Sequence, residues 1–232
     1  MKILKTILIS LILFSAAVYA QDGREAGTPS IRTNGEAMVT AQPDRARIDI
    51  GVTTEAATSQ SAVSQNAEAL EATLTRLRQL LGANANIKTI GYTLTPNYRY
   101  PKDGGERTLT GYTATNIVRV TMDDLTKVGS VIDAATQAGA NRVNSLEFSL
   151  KNENTAKDQA LREAALDARR KADALAAALG LKIVRVLTVV ENGPIAVPVR
   201  NVAFARSAEA ATPIEPGMIE IRAQVSVTVE IG

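Results

Sequence analysis

The stretch 219-IEIRAQVSVTVEI-231 decides the fold class. Ile219, Ile221, Ala223, Val225, Val227, Val229 and Ile231 fall on one side of an extended chain. Glu220, Arg222, Gln224, Ser226, Thr228 and Glu230 fall on the other. Side chains alternate faces along a strand, so this is a half-buried β-strand whose apolar side needs a covering layer. A strand of that length also needs paired neighbours at its edges.

Working outward, the same period recurs. Ala46, Ile48, Ile50 and Val52 alternate with Arg45, Arg47 and Asp49 after the turn Gln42-Pro43-Asp44, and Gly35–Ala41 precedes it as a further strand. Ile87–Tyr100 and Thr108–Met122 read as a long hairpin joined by Pro101-Lys102-Asp103-Gly104-Gly105-Glu106. Arg142–Leu150 is another strand, with Leu146, Phe148 and Leu150 on one face. Leu181–Val190 is apolar almost throughout and reads as a candidate central strand. Asn192–Gly217 is proline-rich and reads as a surface excursion.

Three segments carry a helical period instead. Val63, Ala67, Leu70, Leu74, Leu77 and Leu81 form one stripe ended by Gly82. Leu125, Val128, Ile132 and Ala135 form a second, between Asp123-Asp124 and Gly139. Thr155–Leu179 is the third, with Leu161, Ala164, Ala165, Ala168, Ala172, Leu175, Ala176 and Leu179 as its buried face and Gly180 after it. The sum is an α+β chain: antiparallel sheets of about seven strands, with three helices packed on one face.

Composition removes most catalytic kits. The 232 residues contain no histidine, cysteine or tryptophan. That excludes the usual proton shuttle at neutral pH, thiol nucleophiles, disulfides, and metal sites built on nitrogen or sulfur ligands. A Ser-His-Asp triad is impossible, and no Gly-x-Ser-x-Gly elbow occurs. Paired carboxylates or a Ser–Lys couple are the remaining hydrolytic routes, and no motif marks either. Asp103-Gly104-Gly105-Glu106 lacks the Lys-[Ser/Thr] of a phosphate loop and reads as a hairpin tip. Arg169-Arg170-Lys171 reads as a solvated helix face, with Asp167–Lys171 and Arg169–Asp173 as i,i+4 pairs.

Residues 1–20 have the pattern of a cleaved signal peptide. Lys2 and Lys5 precede an apolar run from Thr6 to Val18, and Val18 and Ala20 are the small residues before Gln21. Its loss takes the formal net charge from +2 to zero, which leaves no basic excess for nucleic acid. Residues 21–30 are a flexible lead-in, and 31–232 form the folded domain.

Four tyrosines follow the leader, Tyr92, Tyr98, Tyr100 and Tyr112, and all lie in the single long hairpin. Cross-strand packing is one use for them; a contact surface is the other. They are the candidate interaction residues. No catalytic, cofactor-binding or metal-binding residue is assigned.

Gly35-Glu36-Ala37, Pro43-Asp44-Arg45-Ala46 and Ile50-Gly51-Val52 open a resemblance to the SIMPL-domain family. Gly111-Tyr112-Thr113-Ala114-Thr115-Asn116-Ile117-Val118 extends it, with Asp124-Leu125, Val128-Gly129 and Ile132-Asp133-Ala134-Ala135. It closes on Ala168-Arg169, Lys171-Ala172 and Leu179-Gly180-Leu181. The resemblance implies an exported periplasmic or outer-membrane-associated protein, akin to immunogenic envelope and oxidative-stress-defence proteins, that assembles into rings or channels. It brings no catalytic residues. The expectation is a non-enzymatic, self-associating scaffold without a cofactor, whose part in stress protection is indirect. Homo-oligomerisation and peripheral outer-membrane association are the expected contacts. The alternative is a periplasmic module that binds a small ligand or a peptide, the latter by strand addition.

Overall fold

The computed structural model describes residues 28–102, 104–193, 195–198 and 214–232. The leader, most of the lead-in, Asp103 and most of the proline-rich excursion lie outside the described residues. The order is β1 (Ser30–Ala41), β2 (Arg45–Ala56), α1 (Ser59–Leu81), β3 (Asn86–Arg99) and β4 (Thr108–Met122). A 3₁₀ turn (Leu125–Lys127) leads into α2 (Val128–Gln137). Then come β5 (Arg142–Ser149), α3 (Asn154–Ala178), β6 (Ile183–Glu191), β7 (Ile195–Pro198) and β8 (Ile219–Ile231). The α+β expectation holds, and β7 adds a short strand inside the excursion. The strands form two sheets, β3-β4-β2-β5 and β1-β8-β6, with β7 also paired to β8.

The described chain divides into two compact units, and β1, α3 and β8 contribute residues to both. The larger comprises Glu36–Ala164 and Asn192–Gln224. Its core is the inner face of β2 and β4, where Ile48 lies opposite Val120 and Ile50 opposite Val118. Burying a branched side chain of this kind contributes about 1.5–3 kcal/mol. Helix α1 covers that face and touches β2, β4 and α2. Thr58 caps its start by accepting from the Ser61 amide (3.2 Å), and Gly82 ends it with φ +95°.

The buried line of α1 is Ala62, Asn66, Thr73 and Leu77, which shares only Leu77 with the expected stripe. Val63, Leu70, Leu74 and Leu81 flank it half-buried, and Ala67 is exposed. Two polar residues hold the centre because each is satisfied there. Asn66 Nδ2 donates to the carbonyls of Val52 (2.9 Å) and Ala114 (3.1 Å), tying the helix to β2 and β4 at once. Thr73 Oγ1 donates to Ala69 O (2.8 Å). A buried amide with its bonds made is no cost, and its lost partner would be. At α2, Asp124 caps the turn through the Thr126 amide, whereas Asp123 is drawn away by Arg45 and Lys151.

The smaller unit comprises the chain up to Gly35, Ala165–Glu191 and Val225–Gly232. Here α3 buries Ala168, Ala172 and Ala176, one residue every four, and Ala160 and Ala164 continue that line in the larger unit. Leu175 and Leu179 are exposed, contrary to the expected face. The strict four-residue step selects the alanines and leaves the leucines to the side. Alanine permits close approach, and Thr33 Oγ1 reaches the Ala168 carbonyl at 2.8 Å. The basic run is used as expected: Lys171 pairs with Asp167 (2.7 Å) and Arg169 with Asp173 (3.1 Å).

Candidate functional site

Among the described residues, no group of three or more acidic, cysteine or histidine side chains is gathered for a metal. The closest ionic contact on the outer face of the larger sheet serves the fold. Asp49, expected on a solvent face, is buried at 8% exposure opposite Arg119. Arg119 Nε donates to Oδ1 at 2.7 Å and Nη2 to Oδ2 at 2.8 Å, a two-pronged grip that makes burial of the carboxylate tolerable.

The grip of Arg119 holds the Asp49 carboxyl below the usual carboxylate range, against the upward push of burial. A folded-state pKa below the unfolded one gives stability that is complete above the ordinary carboxylate value. That stability is lost as pH falls through the folded value. Melting temperature is therefore expected to be level from neutral to about pH 5 and to fall below about pH 4. Asp123 and Asp124, also lowered, act in the same direction. Asp49→Asn should start lower and descend less steeply; melting curves that stay parallel across this range would contradict the assignment.

The tyrosines occupy one ribbon but do not stack in pairs. In the β3–β4 register Tyr92 faces Asn116, Tyr98 faces Leu109, and Tyr112 faces Pro96, so none of these tyrosines has a tyrosine directly across. Tyr92, Leu94, Pro96 and Tyr98 recur at steps of two and share a face of β3. Tyr92, Leu94, Tyr98 and Leu109 are exposed, Tyr112 is half-buried, and Tyr100 stands beyond the strand end at 69% exposure. Arg107 lies over the Tyr98 ring at 4.5 Å, a cation–π contact. The ribbon outruns its support: the pairing of β4 with β2 stops at Tyr112, so residues 97–99 and 108–111 pair only with each other among the described strands.

The larger apolar exposure lies on a strand read from sequence as central. β6 is an edge strand: among the described strands it pairs with β8 alone. Val184 and Val189 are 62% and 60% exposed, and Val186, Leu187 and Val190 are exposed as well. Val186 lies opposite Val229 and Val189 opposite Val227, while Val190 lies opposite Ser226 on the other face. Both faces of the strand are therefore uncovered. The expectation of a central strand is corrected here: an unbroken apolar run does not fix a strand's place in its sheet, and within the described chain β6 lies at an edge. A sequence signal was available: one long helix follows β5, too little to cover a second sheet on both sides.

An open groove of about 500 Å³ runs along Glu36, Met38, Asn192, Gly193, Arg222 and Gln224. Its charged side chains have partners inside the chain: Gln224 Nε2 donates to Glu36 Oε1 (3.3 Å), and Arg222 pairs with Glu220 (2.9 Å). No helix among the described residues is long and apolar enough to cross a membrane.

The chain is 29% identical over 228 residues to the 26 kDa periplasmic immunogenic protein of Brucella melitensis, covering 94% of this chain and 91% of that one. The Brucella abortus protein of the same name matches to the same extent. The uncharacterised protein YggE of Escherichia coli is 31% identical over 163 residues, 70% of this chain and 65% of its own. The family model described as SIMPL, protein of unknown function (DUF541), matches residues 31–229, and the chain belongs to that family.

Proposed function

We propose that this chain is an exported, non-enzymatic envelope protein that works by self-association, with β6 as the principal contact. The observation that carries the reading is a strand with five exposed aliphatic side chains and one edge that no described strand pairs with. Such an edge left bare in solution is an aggregation hazard, so a specific partner is the economical explanation. Cleavage before Gln21 and release into the periplasm fit the leader pattern and the name of the Brucella relative. The tyrosine ribbon is a second contact surface. Any role in stress protection is indirect, through envelope integrity, because the chain has neither cysteine nor histidine to carry thiol or haem chemistry.

The full chain, secreted with its own leader and purified from the periplasm, is expected to run by light scattering at a multiple of the monomer mass at tens of micromolar. A monomer across that range would overturn the reading. Native mass spectrometry on the same sample separates the alternative, since a retained peptide on a single copy would make the edge a peptide-binding strand.

A further inference from the structure

We infer that the tip of the tyrosine ribbon enters the headgroup layer of a phospholipid membrane. The inference rests on the reading of that ribbon as a contact surface of an exported chain, and names what it contacts. The ribbon is fixed at its root and bare beyond it. The strand and the helix that support it both end there: β2 stops pairing at Ala56, opposite Tyr112, and α1 begins at Ser59. Gly111 lies so close to the Ala56 carbonyl that no side chain fits between them. Asn97 Nδ2 donates to Thr113 Oγ1 (2.8 Å), and Thr110 Oγ1 donates to the Asn97 carbonyl (3.0 Å), so side chains also tie the two strands across the root. Past it, every described residue from Tyr98 to Thr110 is exposed.

What selects lipid is the mixture at the tip and its spread over both faces. Neighbouring residues of a strand point to opposite sides, so Tyr98 and Arg99 stand back to back. Leu109 lies opposite Tyr98 in the register and adds an exposed aliphatic side chain. A folded partner docked flat would cover one face and leave the other bare, whereas a headgroup layer entered end-on surrounds both. Tyrosine suits that layer because its ring is apolar and its hydroxyl is not, which places it where hydrocarbon meets water. Cations at the same end meet lipid phosphates. Arg99 and Lys102 are exposed and have no partner among the described residues, and Arg107 over the Tyr98 ring presents charge and aromatic surface together. Against these three cations the tip sequence carries two acids, Asp103 and Glu106, so its excess charge is positive and complements an anionic surface. Near such a surface each cation strengthens binding by roughly fivefold.

The absence of tryptophan makes the test clean. Tyr100→Trp, in the chain purified from the periplasm, places a single tryptophan at the tip, and Leu166→Trp places one on the exposed side of α3. Vesicles of phosphatidylglycerol and phosphatidylcholine in equal parts are expected to shift Tyr100→Trp emission to shorter wavelength. Phosphatidylcholine brominated in its acyl chains should quench that emission. Leu166→Trp should do neither. Arg99→Gln combined with Lys102→Gln should weaken vesicle binding by roughly twentyfold, two steps of about fivefold, while the melting transition persists. A silent Tyr100→Trp would overturn the proposal, and so would a Leu166→Trp that responds as strongly, since the contact then lies elsewhere. Tyr100→Trp emission that follows protein concentration and ignores vesicles would give the ribbon to a second copy and overturn it too. Light scattering without vesicles keeps the two readings apart. A monomer that binds vesicles through the tip would remove self-association and uphold this contact; an oligomer with a silent tip would do the reverse.

Discussion

Gly111→Ala is expected to lower stability more than any other single-methyl change in the larger unit, by about 3 kcal/mol. Gly111 is buried in β4, and its φ of +156° is one that side-chain-bearing residues seldom adopt. More decisive is the space: a Cβ there would sit 2.7 Å from the Ala56 carbonyl oxygen. That atom is backbone at the end of β2, so no rotamer change can relieve the overlap. Relief requires β2 and β4 to separate where the ribbon leaves the sheet. Urea unfolding should show a midpoint lower by roughly 1–2 M. Gly104→Ala is the comparison: φ there is +76°, but nothing lies within 4 Å of the added carbon. It should cost about 1 kcal/mol from backbone conformation alone. Equal midpoints for the two variants would mean that the close approach of β4 to Ala56 is absent in solution.

That glycine shows where sequence reading reached and where it stopped. The stretch from Gly111 to Val118 was visible as a motif, yet its physical content needs neighbours distant in sequence. Gly111 is required by Ala56, and the buried Ala114 offers its carbonyl to Asn66. Strand period placed Ile48, Ile50, Val52 and the apolar face of β8 from Ile219 to Val229 correctly, because one buried face writes itself into alternate positions, although Ser226 on the other side is buried as well. It misplaced Asp49, because a carboxylate looks solvent-facing until its arginine is found on the adjacent strand. In α1 the leucines drew the stripe about a fifth of a turn away from the real centre, which Asn66 and Thr73 occupy. For β6 the unbroken apolar run suggested a central strand and misled, because position at an edge is a property of topology that no run of residues records. The tyrosines were located to one ribbon, but their facing partners were set by register shifts between Thr89 and Gly91 and between Asn97 and Tyr98.

In the smaller unit, Ala168→Leu is expected to have the largest effect, again about 3 kcal/mol, and to act by a different route. Ala168 is fully buried, and its carbonyl accepts the Thr33 hydroxyl at 2.8 Å. Three added carbons have no void to enter where helix and strand approach so closely, so α3 must lift from β1 and give up that bond. Overpacking of this kind typically costs about 1–3 kcal/mol, and loss of the hydrogen bond adds about 1 kcal/mol. For a chain of this size the melting temperature should fall by roughly 6–12 °C. Ala177→Leu, on an exposed position of the same helix, should change it little, since leucine and alanine have similar helix propensity. Thr33→Val isolates the hydroxyl and should cost about 1 kcal/mol. Hydrogen exchange locates the damage: in Ala168→Leu, protection should fall first among amides of residues 165–178 and 225–231. If protection there is unchanged while that of β2 and β4 drops, the alanine line is not what sets the spacing between α3 and its sheet.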